Sequence, residues 1–176
     1  MSLPPEVWLR GPLPGVLPPL QPVAHALLQI AEAVPPLLDG LTPDQLWARP
    51  GGSGSIGFHV AHLAGSLDRL FTYSCDRSLS PGQVAALAAE RTIDQTRPPG
   101  SELQRLLRAG IDAAIAHLKT VRPDALFEAR EVGRARLPST TFGLLVHAAE
   151  HSARHAGQIT TLAKVVRGTT PAPVAG

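Results

Sequence analysis

The stretch Thr141–Gly168, TFGLLVHAAEHSARHAGQITTLAKVVRG, limits the fold of this 176-residue chain more than any other. It reads as one long helix, with Ser139 or Thr140 as its cap and Gly168 as its stop. Leu144, Ala148, His151, His155, Gln158, Leu162 and Val165 repeat as a heptad and predict one buried face. Other helices must cover such a face. Its centre is polar where a bundle helix buries leucine, and a buried polar group costs free energy unless something satisfies it. His151 and His155, four residues apart, project from one side of the helix about one turn apart. That spacing suits two ligands of one metal ion. The plainer alternative is a histidine pair satisfied by backbone carbonyls, by carboxylates of other helices or by water. The intervening residues are Ser152-Ala153-Arg154, so the H-E-x-x-H pattern of zinc proteases is not met.

The rest of the chain is expected to build a bundle around this helix. Seven prolines fall within residues 1–22, which predicts an extended arm. Its apolar residues, Val7, Trp8, Leu9, Val16 and Leu20 among them, predict that the arm packs along the domain. A first helix is expected over 21–38, closed or kinked by Pro35-Pro36. Thr42-Pro43-Asp44-Gln45 predicts a short capped turn. A second helix is expected from Ser55 to Cys75 or just beyond, a shorter one over 80–91, and a third long one over 101–121 capped by Ser101. Residues 92–100 read as a turn-rich connection, residues 127–137 as a small hairpin around Gly133, and the tail 169–176 as disordered.

Composition narrows the function classes. A net charge of +2 with dispersed arginines argues against a dedicated nucleic-acid binder, and Arg130, Arg134 and Arg136 are expected to be solvated or paired. The single cysteine, Cys75, excludes an internal disulfide. It lies about 20 Å along its helix from His62, too far to share a metal, and reads as a small buried residue. No basic segment followed by an apolar run opens the chain, and no apolar run of about 18 residues occurs, so a soluble cytoplasmic protein without membrane contact is expected. Five of the seven histidines fall in two short segments, 59–62 and 147–155.

The first of those segments, Phe58-His59-Val60-Ala61-His62-Leu63, should supply a third ligand, since bundle metal sites gather side chains from facing helices. At 100° per residue His59 lies about 60° and His62 about 120° from the main apolar stripe, so periodicity favours His59 as the better buried.

Ser55-Ile56-Gly57 and Val60-Ala61-His62-Leu63-Ala64, taken with His151-x-x-x-His155-x-Gly157-Gln158-Ile159, resemble the DinB family of small bundle proteins, which is similar to mycothiol-dependent enzymes. The resemblance covers residues 21–167. It implies an all-α fold, a four-helix bundle of up-down-down-up topology with long crossover connections, spanning 21–168 behind an arm at 1–20. It also implies a homodimer and a divalent metal, zinc, nickel or iron, held by His62, His151 and His155. His59 then becomes a pocket residue; His147, one turn before His151, either reaches the same cavity or faces a neighbouring helix; Gln158, on the His151 face, is expected to orient a metal-bound water, and Gly157 to permit close packing. This assignment of the third ligand departs from the periodicity count.

Three neutral imidazoles leave coordination positions open, unlike a closed structural zinc site. A cation with open positions can activate a thiol or a water; the resemblance implies the thiol route, so the expected activity is a metal-dependent transfer of a low-molecular-weight thiol to a small electrophile in stress response or detoxification, with a hydrolase as a variant. The competing reading is a non-catalytic, metal-binding dimeric bundle. No catalytic carboxylate is evident beside the histidines, Glu150 pointing about 100° away from His151. Metal affinity is expected to fall as pH drops through roughly 6.5.

Overall fold

A computed structural model describes residues 5–168; the tail at 169–176 lies outside the described residues. The chain is mostly helical, with one small antiparallel sheet. In order it forms α1 (Gln21–Ala33), α2 (Pro35–Leu38), α3 (Pro43–Trp47), α4 (Ile56–Ser74), α5 (Pro81–Glu90), α6 (Ile93–Thr96), α7 (Gly100–Leu118), the hairpin β1 (Ala129–Val132) and β2 (Leu137–Thr140), and α8 (Thr141–Gly168).

Local chemistry places most of these ends. The first helix breaks at Val34, because Pro35 and Pro36 lack N–H groups to continue the ladder; α2 is the remnant beyond the break. Thr42 Oγ1 accepts from Gln45 N–H while Gln45 returns a bond to Thr42 N–H, closing a capping box on α3. Ser80 and Gln83 do the same for α5. Ser55 Oγ caps α4 by accepting from Phe58 N–H at 3.1 Å, and Thr140 Oγ1 accepts from Gly143 N–H at 3.0 Å at the start of α8. The expected cap at Ser101 is not used: α7 begins a residue earlier, behind Pro99, and ends at Leu118. Residues 93–96, expected as connection, form one helical turn that ends at Arg97 with φ 46°.

Helix α4 packs against both α8 and α7, and α1 packs against the same two helices. Their shared core includes the fully buried Leu27, Leu63, Leu67, Leu107, Ile111 and Ile159. Each such side chain stabilises the fold by about 1.5–3 kcal/mol relative to exposure. Beneath α3, Gly57 makes room for the buried Trp47: a Cβ at position 57 would lie within 2.8 Å of three ring carbons. The arm packs as expected, with Val7, Val16 and Leu20 buried and Val7 N–H donating to Gln29 Oε1 at 3.0 Å. It is not simply extended, since Val7–Leu9 and Pro18–Leu20 form 3-10 turns.

On α8 the buried line differs from the expected heptad. Leu144, Ala148 and Leu162 are buried, but so are Leu145, Ala149, Ser152, Ile159, Ala163 and Val166, while Gln158 is exposed and Val165 is 39% exposed. A straight α-helix has 3.6 residues per turn, so a strict seven-residue spacing slips about 20° per heptad, and the later members rotate out of the core. Gly157 is also exposed, with open space where its Cβ would be, so it does not serve close packing. Helix α5 contributes no buried residue; Gln83 ties it to α4 by donating to Thr72 Oγ1 at 2.7 Å and Asp68 Oδ2 at 2.9 Å.

Candidate metal centre

Two helices carry the histidines. The i, i+3 pair His59 and His62 comes from α4, and the i, i+4 pair His151 and His155 from α8. His59 meets His155 and His62 meets His151, so the two helices run past each other in opposite directions. One ring nitrogen each from His62, His151 and His155 lies within 4.8 Å of the other two. The closest pair is His62 Nε2 and His151 Nε2, at 3.1 Å. Two nitrogens of a tetrahedral zinc site stand about 3.3 Å apart when each is 2.0–2.1 Å from the ion, so the cluster is near the spacing an ion requires.

The remaining nitrogens are spoken for. His62 Nδ1 lies 3.0 Å from Glu90 Oε2 at the C-terminal end of α5. A carboxylate accepts, so His62 Nδ1–H donates and leaves Nε2 with its lone pair. Arg69 holds Glu90 from the other side in an ion pair. Gly65 permits this approach, because a Cβ there would collide with the Glu90 carboxylate. Burial alone would raise the Glu90 pKa; the hydrogen bonds from His62 and Arg69 outweigh it and hold the carboxyl below its ordinary value. His155 Nδ1 lies 2.9 Å from His59 Nδ1, so one ring donates and the other accepts. Arg154 lies 3.4 Å from His151 Nδ1, the limit of a hydrogen bond; a guanidinium only donates, so this contact favours the His151 proton on Nε2, and ligation through Nε2 would move that proton to Nδ1 and break the contact.

The cluster favours neutral imidazoles. Burial, with His62, His151 and His59 adding, pushes His155 down from 6.5 to about 4. Burial likewise lowers His59 and His151, with His62 the next cause in each. Neutral rings are the form that ligates a cation.

The other expected site residues are placed apart or at the rim. His59 is the most buried histidine, at 5% exposure, and His62 is half-buried, as periodicity orders them. The close triad nonetheless contains His62, and His59 touches it through His155. His147 is exposed, 3.4 Å from Glu150, with its ring tilted at 38° to that of His151 and the centroids 5.6 Å apart. Glu150 is held within α8 by His147 and Arg154. Gln158 faces outward beside the groove that His59 lines. Cys75 is half-buried rather than buried, 3.8 Å from the His117 ring nitrogens and outside the triad. Arg130 and Arg136 pair with Glu128 and Glu131.

A helical chain with a three-histidine cluster of this kind is, by its parts, a candidate metalloprotein. The family profile of the DinB superfamily matches residues 26–159, and the chain belongs to that superfamily. No curated protein matches the chain. No helix among the described residues is long and apolar enough to cross a membrane.

Proposed function

We propose that His62, His151 and His155 hold one divalent cation, zinc, nickel or iron, and that the protein uses it to transfer a low-molecular-weight thiol to a small electrophile. The observation that carries this is the triad itself: three imidazole nitrogens within 4.8 Å, one of them aimed by a carboxylate. When bound, such a cation lowers the pKa of a thiol and so supplies a nucleophile at neutral pH. The chain's own residues set up the donors. Glu90 keeps the His62 proton on Nδ1 and frees its Nε2; a cation on His155 Nε2 would place the His155 proton on Nδ1, with His59 Nδ1 as its acceptor. Glu90 and Glu150 are each engaged by an arginine and a histidine. That leaves neither carboxylate as a ready base for water and favours the thiol route over hydrolysis.

The same engagement of the carboxylates supports a second reading, a metal-binding module without turnover. Elemental analysis of protein purified without a histidine tag separates these ideas, followed by an assay of thiol-dependent electrophile loss with and without metal. One equivalent of metal and metal-dependent loss are expected. Metal without loss supports the module, and no metal uptake sinks both.

We infer that residues 21–168 form the up-down-down-up bundle of the superfamily. Contacts between three pairs of helices support it. His59 against His155 and His62 against His151 set α4 opposite to α8. Ala64 against Gly110 and Cys75 against His117 set α4 along α7. Gln104 donating to Pro35 O at 2.9 Å, with Gly15 against Lys119, sets α7 opposite to α1. We further propose a cytoplasmic homodimer, as the resemblance implies; light scattering that gives a monomer mass at micromolar concentration contradicts the dimer.

A further inference from the structure

We propose that the groove between the Ser53–Gly54 loop and the outer turns of α8 binds a carboxylate, and that it receives the acidic end of the small molecule engaged at the histidine cluster. The proposal rests on the metal reading above. It starts from one atom. His59 is 5% exposed, and its Nε2 has no hydrogen-bond partner among the described residues. A buried polar atom left unpaired costs about 1–3 kcal/mol, so an orphan of this kind asks for a partner.

The tautomers say what kind of partner. If His155 offers Nε2 to a cation, its proton sits on Nδ1 and is donated to His59 Nδ1 across 2.9 Å. His59 then accepts at Nδ1 and must carry its own proton on Nε2. The orphan is a donor, and it calls for an acceptor. His59 lines a groove of about 690 Å³. Gly54 forms its near wall, a Cβ there standing 3.0 Å from His59 Nε2.

Gly157 and Leu162 supply apolar wall, and four further lining side chains are polar. Arg154, Gln158 and Thr161 line it from α8 at i, i+4 and i+7, and Ser53 lines it from the loop. Guanidinium, amide and hydroxyl groups all donate to an oxyanion. Arg154 already pairs with Glu150 at 2.7 Å, but both side chains are more than half exposed. Such pairs contribute little, so an incoming carboxylate can share the guanidinium. The ring centroids of His59 and His155 are 5.1 Å apart. His59 and Arg154 line the groove and each also touches a triad histidine, His155 and His151, so the groove adjoins the cluster.

The test uses cobalt-loaded protein and two probes, 3-mercaptopropionate and its neutral amide. Thiol binding is read from the sulfur-to-cobalt charge-transfer band in the near ultraviolet. The acid is expected to bind at least about tenfold tighter than the amide, a difference of about 1.4 kcal/mol. In Arg154→Gln, and in the double variant Gln158→Leu, Thr161→Val, that preference should shrink to within about threefold, each variant being fully loaded with cobalt and its acid affinity compared with its own amide affinity. All three positions are exposed on α8, so folding is not at stake. Equal binding of acid and amide to the parent protein overturns the groove. So does a preference that survives both variants, since it would mean the carboxylate chelates cobalt directly. Failure to take up cobalt overturns the metal reading and the groove with it; cobalt uptake without preference overturns the groove alone.

Discussion

A neutral imidazole offers a lone pair on one nitrogen only, so the partner of the other nitrogen decides how the ring can ligate. Glu90 has this role for His62, and Arg69 keeps Glu90 ionised and in place. Glu90→Ala should lower metal affinity about 10–100-fold, with Glu90→Gln milder because the amide oxygen still accepts. Competition against a chromogenic chelator measures this, and unchanged affinity in both variants would refute the role. In the same assay His155→Ala should remove most bound metal, and His117→Ala, beside Cys75, should not. His59→Ala should keep one equivalent at weaker affinity, since it removes the partner of His155 and no member of the triad; if it empties the site while His62→Ala leaves it filled, His59 is the third ligand. The histidines were legible because i, i+4 spacing on one helix is a local property. Glu90 was not, because it lies 28 residues from His62 on another helix. Nothing in the local pattern around Pro81–Glu90 points at the cluster; only the folded contact does.

Among the elements, chemistry written in adjacent residues was the readable part. Thr42 with Gln45, Ser80 with Gln83, Ser55 and Thr140 cap the helices they precede, and Gly133, φ 66°, turns the hairpin where expected. What sequence spacing missed depends on tertiary placement. The heptad of α8 drifts out of the core by Val165; residues 93–96 close a helical turn inside a segment that reads as a loop. The two glycines that frame the histidine motifs are told apart only by their surroundings. Gly57 lies against the Trp47 ring, whereas Gly157 faces open space. Gly57→Ala should therefore cost about 1–3 kcal/mol through overpacking. Gly157→Ala should be neutral or stabilise by up to about 1 kcal/mol, because it lowers the entropy lost in a helix. Urea denaturation distinguishes the two, and equal destabilisation would contradict this account of Gly57.

At the scale of the whole molecule, folding, protonation and metal binding act on the same interface, because α4 and α8 meet at the histidines. In the folded chain His155 stays neutral down to about 4, whereas its ordinary value is 6.5. Above 6.5 the ring is neutral in both folded and unfolded chains, and its contribution to stability is fully present. Between 6.5 and about 4 the unfolded chain binds a proton that the folded chain refuses, so stability falls as pH falls. His59 and His151 shift in the same direction and add to the loss. For the metal-free protein the total is about 1–3 kcal/mol after discounting partial exposure. The depressed values also move the acid loss of metal below the 6.5 expected of free imidazoles, since the folded ligands remain neutral there. A cation at 1,000 times its Kd adds about 4 kcal/mol to the folded state. Calorimetric melts of chelator-treated and zinc-loaded protein, stepped from pH 7.5 to 4, should show two trends. The metal-free Tm should decline as pH drops below 6.5, less steeply in His155→Gln, and the increment from zinc should persist through pH 6.5 and vanish towards 4. A metal-free Tm that stays flat, or a zinc increment equal at both ends, would mean that the histidine cluster does not couple the two helices.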